Sequence, residues 1–183
     1  MMSVNSIIGE KSLFAIEYTW FDELQSTEIS MYVNGINLLA FERGGKIFTS
    51  RWKFDELAEW LRNYLNNNLE DPYPAEVEGE YAAIKDINAR NFDSDDLDEF
   101  DAYYDKLDEW NLRHRWHTAS AGAVLADLYF QRVGSSVEIS WNNQDNDCEV
   151  RFLNMLGGVT VNNTLFEIVV DQFLRAYAQH WFN

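Results

Sequence analysis

Hydrophobic residues change their spacing three times along this chain, and that succession constrains the fold more than any other feature. Between positions 13 and 20, Phe14, Ile16, Tyr18 and Trp20 alternate with Ala15, Glu17 and Thr19. Period two places every second side chain on one face, the pattern of a half-buried strand. Ile29, Met31 and Val33 repeat it, and Asn34-Gly35 follows. An Asn-Gly pair between apolar runs predicts a tight hairpin, because both residues tolerate positive φ. A third strand is expected over 36–41, and Gly44-Gly45 turns the chain into a fourth at Ile47, Phe48 and Thr49.

Helical spacing then takes over. Phe54, Leu57, Leu61, Tyr64 and Leu65 share one face, and Pro72 and Pro74, the only prolines, stop the helix and mark a linker over 70–79. A second helix is expected over 95–117, with Leu97, Phe100, Tyr104, Leu107 and Trp110 or Asn111 on its apolar side. Asp93 or Ser94 is its expected N-cap. Acids fill its first turn, and Arg113, His114, Arg115 and His117 fill its last, as the helix dipole favours. Period two returns at Leu128 and Phe130, at Val137, Ile139 and Trp141, and at Val150 and Phe152. Gly157-Gly158 is expected to be a turn into Val159 and Val161. Thr164 and Glu167 form a capping box, and Phe166, Val169, Val170, Phe173, Leu174, Tyr177 and Trp181 follow as one broad helical stripe.

These elements predict an α+β fold of antiparallel β meanders, about seven to eight strands, with three main helices packed on the sheet. The 183 residues are expected to form a single domain over 1–183, with 70–79 as the one place for a division into two lobes. A hydrophobic content of 46% supplies a core without disulfide staples. The single cysteine, Cys148, cannot pair internally, the N-terminus lacks a secretory pattern, and no run approaches 18 apolar residues. A cytoplasmic protein without membrane contact is therefore expected.

Charge gives the strongest functional signal. Lys and Arg number 14 against 31 acids, a net charge of −17. Positions 70–109 hold fifteen of those acids and three bases, −12 of the total. Such a balance argues against direct nucleic-acid binding and against docking on anionic lipid. It fits either a solvated helix face or a docking surface for a basic partner protein. Asp95, Asp98, Asp101 and Asp105 are the candidate partner-binding carboxylates. Trp60 and Trp116 fall off the main apolar stripes and are candidate exposed anchors. An acidic inhibitor that imitates nucleic acid is a variant of the same reading.

The rival class is catalytic. His114 and His117 lie three apart, so both could share a helix face near Asp108 and Glu109, the ligand types of a metal-dependent hydrolase. Only His180 and Cys148 could add nitrogen or sulfur ligands, and no HExxH motif is present. The preferred reading is histidines that compensate a helix dipole. The mixed run from Arg113 to His117 could also bind an anion or a carboxylate. Calcium-loop and Walker patterns are both broken. No enzyme activity, cofactor or metal is expected, and the chain could serve as a subunit of a larger assembly.

Four segments also carry a family likeness: Ile36-Asn37-Leu38-Leu39, the helix from Phe54 to Leu61, the run from Arg113 to Gly122, and Leu128 to Gly134 with Val137 to Trp141. Together they resemble an uncharacterised bacterial region found as the N-terminal accessory part of some ImmA/IrrE-type metallopeptidases. The peptidase domain, with its zinc-binding helix, is absent here. The resemblance implies a bacterial defence, toxin-neutralising or regulatory module, and it transfers no functional residue.

Overall fold

The computed structural model describes residues 3–21, 26–66, 69–116, 124–144 and 149–181. Ten strands and four helices occur among them, in the order six strands, three helices, four strands, one helix. The fold is α+β, and every strand pairing is antiparallel.

The larger sheet has seven strands. β1 (Ser3–Glu10), β2 (Phe14–Phe21), β3 (Ser26–Val33), β6 (Lys46–Lys53), β5 (Ala40–Arg43) and β9 (Arg151–Phe152) lie in that spatial order, and β4 (Ile36–Asn37) pairs with β3. Asn34 and Gly35 take φ of 50° and 80°, so the Asn-Gly hairpin forms as expected between β3 and β4. The single strand expected over 36–41 is instead broken. Asn37 Oδ1 accepts from the Leu39 N–H at 3.1 Å, a local turn that redirects the chain from β4 into β5. β6 then serves two neighbours: Lys46 to Thr49 pair with β5, and Ser50 to Lys53 pair with β3.

The smaller sheet has the order β10 (Leu156–Asn162), β8 (Ser136–Asn142), β7 (Leu128–Val133). Gly157-Gly158 is not the expected turn but lies within β10. Gly157 pairs with Trp141, whose ring lies where a Gly157 Cβ would stand, and the Tyr81 ring occupies the same place against Gly158. Any side chain there would meet a ring, so these glycines make room for aromatics.

α4 (Asn163–Trp181) packs on α1 (Phe54–Asn66), β1, β2, β8 and β10, and thereby ties the two sheets together. Phe166, Val169, Val170 and Phe173 are buried, as their stripe requires. Phe166 stacks on Phe14 with centroids 5.0 Å apart, and Phe173 meets Tyr18 edge-on at 5.4 Å. Asn162, not Thr164, caps this helix: its Oδ1 accepts from the Leu165 N–H at 3.2 Å. Glu167 turns instead to Arg132 at 2.7 Å and to the Asn163 amide at 3.0 Å.

The small sheet is covered on both faces. Leu128, Phe130, Val137, Ile139 and Trp141 join the main core with Phe14, Ile16, Ile29 and Phe166. The opposite face carries Tyr129, Gln131, Glu138 and Ser140, all buried, and α2 (Ala82–Ala89) packs over it. α3 (Leu97–His114) packs on β7 beside α2, and Tyr73, Ala83, Ala89, Leu107, Trp110 and Tyr129 form a second apolar cluster there. Tyr73 lies in the expected linker, so that segment is packed against the helices and not a free connection.

Candidate functional site

α3 begins at Leu97 because Asp96 caps it. Its carboxylate accepts from the Asp98 N–H at 3.0 Å and the Glu99 N–H at 3.2 Å, a role expected two or three residues earlier. The helix then divides cleanly into two faces. Leu107, Trp110, Asn111 and His114 turn inward. Asp98, Asp101, Asp105 and Asp108 recur every three or four residues on the outward side, and all four are exposed. Asp95 is exposed just before the cap. None of these five takes part in an ion pair among the described residues. Leu112, 72% exposed, continues the same stripe, and Leu97, expected on the apolar side, is 75% exposed in the first turn. At about 1.5 Å rise per residue, the stripe from Asp98 to Asp108 is about 15 Å long.

The two candidate tryptophan anchors lie elsewhere. Trp116 is 2% exposed, and its ring packs between Trp52 at 5.4 Å and Trp60 at 5.5 Å. Trp60 in turn packs on Phe130 at 5.1 Å, so it lies on the core-facing side of α1 and not off the stripe. These indoles join α1, β6 and β7. They hold the core together, and Trp116 presents no surface to a partner.

His114 is fully buried. Its Nδ1 lies 2.9 Å from the Phe130 carbonyl, which fixes Nδ1 as the protonated nitrogen, and its ring stacks on Trp110 at 4.1 Å. Burial lowers its pKa below the ordinary histidine value, more than the Phe130 carbonyl raises it. His117 and Cys148 lie outside the described residues. Among the described residues no cluster of three metal-ligating side chains exists. His114 is thus occupied in packing, which removes one of the two histidines on which the hydrolase reading rests.

A second constellation emerges where α2, the end of α3 and the small sheet meet. Asp86 on α2 is 2% exposed and fully engaged. Its Oδ1 accepts from Asn111 Nδ2 at 3.0 Å and Tyr73 Oη at 3.3 Å, and its Oδ2 from Arg90 Nε at 2.8 Å and Tyr129 Oη at 3.1 Å. Burial disfavours its charge, but the donors from Asn111 and Arg90 outweigh burial and hold its pKa below the usual carboxylate value. Immediately after α3, its C-cap residue Arg115 binds Asp127 with two hydrogen bonds, Nε at 2.5 Å and Nη2 at 2.8 Å. Burial pushes the Asp127 carboxyl above its ordinary pKa despite this pairing, and the neighbouring Asp86 charge adds to the rise. Tyr129 Oη lies within 3.4 Å of both carboxylates.

These groups line a cleft of about 490 Å³. Arg90, Arg115, Asp86, Asp127 and Tyr129 form its charged and phenolic lining, Asn142, buried Asn143 and exposed Gln144 its amide lining, and Ile87, Leu125 and Phe152 its apolar lining. The sequence reading anticipated only Arg115, as part of a run that could bind an anion. It missed α2, and with it Asp86 and Arg90. The available signals were the alanines at 82, 83 and 89 and an Asp-Arg pair spaced by four, as on one helix face.

Among the described residues no helix is long and apolar enough to cross a membrane. No protein-family model matches the chain, and no curated protein or solved structure shows significant similarity to it.

Proposed function

We propose that this protein is a non-enzymatic binding module whose outward α3 face docks a basic partner protein. The observation that carries the reading is the stripe of Asp98, Asp101, Asp105 and Asp108, without an ion pair among the described residues and closed by exposed Leu112. Like charges three and four apart destabilise a helix by about 0.2–0.5 kcal/mol per pair. Interleaved lysines would give the same solubility without that cost. A rigid 15 Å row of carboxylates beside a leucine suits a complementary basic surface, with electrostatic steering over distance and an apolar contact at its end. The likeness to the accessory region of ImmA/IrrE-type proteins supports a bacterial defence, toxin-neutralising or regulatory setting. The lone cysteine suits the reducing cytoplasm. An inhibitor that occupies a nucleic-acid-binding site is the narrower form of this reading.

The test is affinity capture from extracts of the source cells at low and high salt. Wild-type bait is compared with a variant carrying Asp95→Asn, Asp98→Asn, Asp101→Asn and Asp105→Asn. A captured basic protein is then purified and titrated against both. The expected result is salt-sensitive binding that the variant loses. A partner indifferent to salt and to the four substitutions removes α3 as the docking face.

A further inference from the structure

The cleft at the C-terminal end of α3 contains two arginines that the acidic docking face does not use. Each is held from behind by a carboxylate. Arg90 gives its Nε to Asp86, and Arg115 gives Nε and Nη2 to Asp127. Among the described residues, Arg90 Nη1 and Nη2 and Arg115 Nη1 have no protein acceptor, and both residues line the cleft. The Arg90 and Arg115 side chains remain 52% and 31% accessible. Their charges also oppose one another. A pair of fixed guanidinium groups with spare N–H donors is the arrangement that recognises a multi-oxygen anion. Its placement in a chain of net charge −17 is notable, because that charge repels anions at long range and only a local site could hold one.

The rest of the cleft describes the body of the ligand. Phe152, Leu125 and Ile87 offer an apolar lining, and Asn142 and Gln144 offer amides. A volume of about 490 Å³ suits a molecule of mononucleotide size. Asp86 and Tyr129 are already bound to each other and to the arginines' surroundings, so they orient the donors and leave the anion to the guanidinium groups.

We propose that this cleft is a binding site for a small ring-bearing organic anion, its oxyanion head held between Arg90 and Arg115 and its ring against Phe152 and Leu125. The head chemistry, phosphate or carboxylate, is shared by two ligand sources, and the probes distinguish them. The full-length protein is titrated calorimetrically with phenyl phosphate, adenosine monophosphate, benzoate, inorganic phosphate and uncharged adenosine. The expected result is saturable 1:1 binding of at least one ring-bearing anion, tighter than inorganic phosphate, with no binding of adenosine. Preference for phenyl phosphate or for benzoate assigns the head group. Arg90→Gln is the principal variant, because Arg90 is half exposed and its loss leaves Asp86 with its Asn111 and tyrosine donors. It is expected to weaken binding at least tenfold with an unchanged circular dichroism spectrum, and Arg90→Lys to retain an intermediate affinity. Arg115→Gln leaves Asp127 unpaired, so it is read only alongside Arg115→Lys, which keeps the charge. Absence of binding by any anionic probe at millimolar concentration overturns the proposal. So does binding that Arg90→Gln leaves unchanged, which would indicate anions on other surfaces. Neither outcome bears on the α3 docking reading, whose variants lie outside the cleft.

Discussion

Glu138 accepts a hydrogen bond from the backbone N–H of Ala82 at 2.7 Å, so a strand residue 56 positions away caps the start of α2. The local N-cap position, Tyr81, offers no side-chain acceptor. Ser140, next on the same face of β8, accepts from the Ala83 N–H at 3.1 Å and donates to Glu138 Oε1 at 3.1 Å. Two orphan donors of the helix start are thereby satisfied in a buried place where water could not replace them. Glu138→Ala is expected to lower the free energy of unfolding by about 1–3 kcal/mol, the range for a lost cap and a stranded buried N–H. Glu138→Gln keeps an acceptor and should recover about half of that loss. Urea unfolding midpoints at neutral pH check both. Equal stability of wild type and Glu138→Ala would falsify the capping role.

The Tyr81 ring packs on the bare face of Gly158. Gly158→Ala should cost about 1–3 kcal/mol through overpacking. In a Tyr81→Ala background the added methyl finds room, so the same substitution should cost under about 0.5 kcal/mol. A double-mutant cycle by denaturant unfolding measures the coupling. Equal costs in both backgrounds rule out the ring as the obstacle.

Trp116 separates a packing role from a partner-binding one. Its burial against Trp52 and Trp60 predicts that Trp116→Ala costs about 3–5 kcal/mol, as for other large aromatics truncated in a core. An exposed anchor would change stability by less than about 0.5 kcal/mol. Thermal and denaturant unfolding distinguish the two.

His114 and Asp86 make stability depend on pH in different windows. The folded pKa of His114 lies below its ordinary 6.5, so the unfolded chain binds the extra proton first as pH falls. Its contribution is complete above about pH 6.5 and declines as pH falls from there toward the folded value. Asp86 also has a lowered folded pKa, but from an ordinary 3.8, so its contribution holds down to that region and is lost as pH falls further. His114→Asn retains a donor for the Phe130 carbonyl but cannot titrate. Its stability, although lower than that of wild type because the Trp110 stack is lost, should fall less than that of wild type between pH 7 and 5. Urea midpoints across that range decide the matter, and parallel curves for the two proteins exclude His114 as the source.

The outward stripe on α3 predicts a stability gain on neutralisation. Asp101→Asn, Asp105→Asn and Asp108→Asn, all beyond the first turn where the helix dipole favours acids, together relieve like-charge repulsion, worth about 0.5–1 kcal/mol at low ionic strength. The gain should shrink as salt approaches about 0.5 M, because screening weakens the same repulsion. Melting temperatures at low and high salt provide the check. A loss of stability at low salt would mean that these carboxylates already have favourable partners.

Residues that repeat at a fixed period were legible without coordinates. Phe14, Ile16, Tyr18 and Trp20 define β2, Asn34-Gly35 defines a hairpin, and Phe166 to Phe173 define the buried stripe of α4, because burial on one face imposes one spacing on neighbours in sequence. The exposure of Asp98, Asp101 and Asp105 follows from the same rule. Elements without such a face were not legible. β1 is held by its full-length pairing with β2, and its segment alternates weakly, with Ile7 52% exposed. α2 is short and takes its cap from β8, and the glycines of β10 follow from rings that arrive from elsewhere.

The amino-acid sequence by itself determined the α+β class, the broad strand and helix regions, and the concentration of negative charge in one stretch, because these depend on local spacing and composition. Only the tertiary structure decided that Trp116 and His114 are interior, that Asp86 is the hub of a buried network, and that Arg90 and Arg115 line one cleft. Those facts depend on pairs of residues 12 to 64 positions apart, from Arg115 with Asp127 to Trp116 with Trp52. No local periodicity encodes such pairs. They exist because burial of both faces of the small sheet forces α2 and α3 over its polar side.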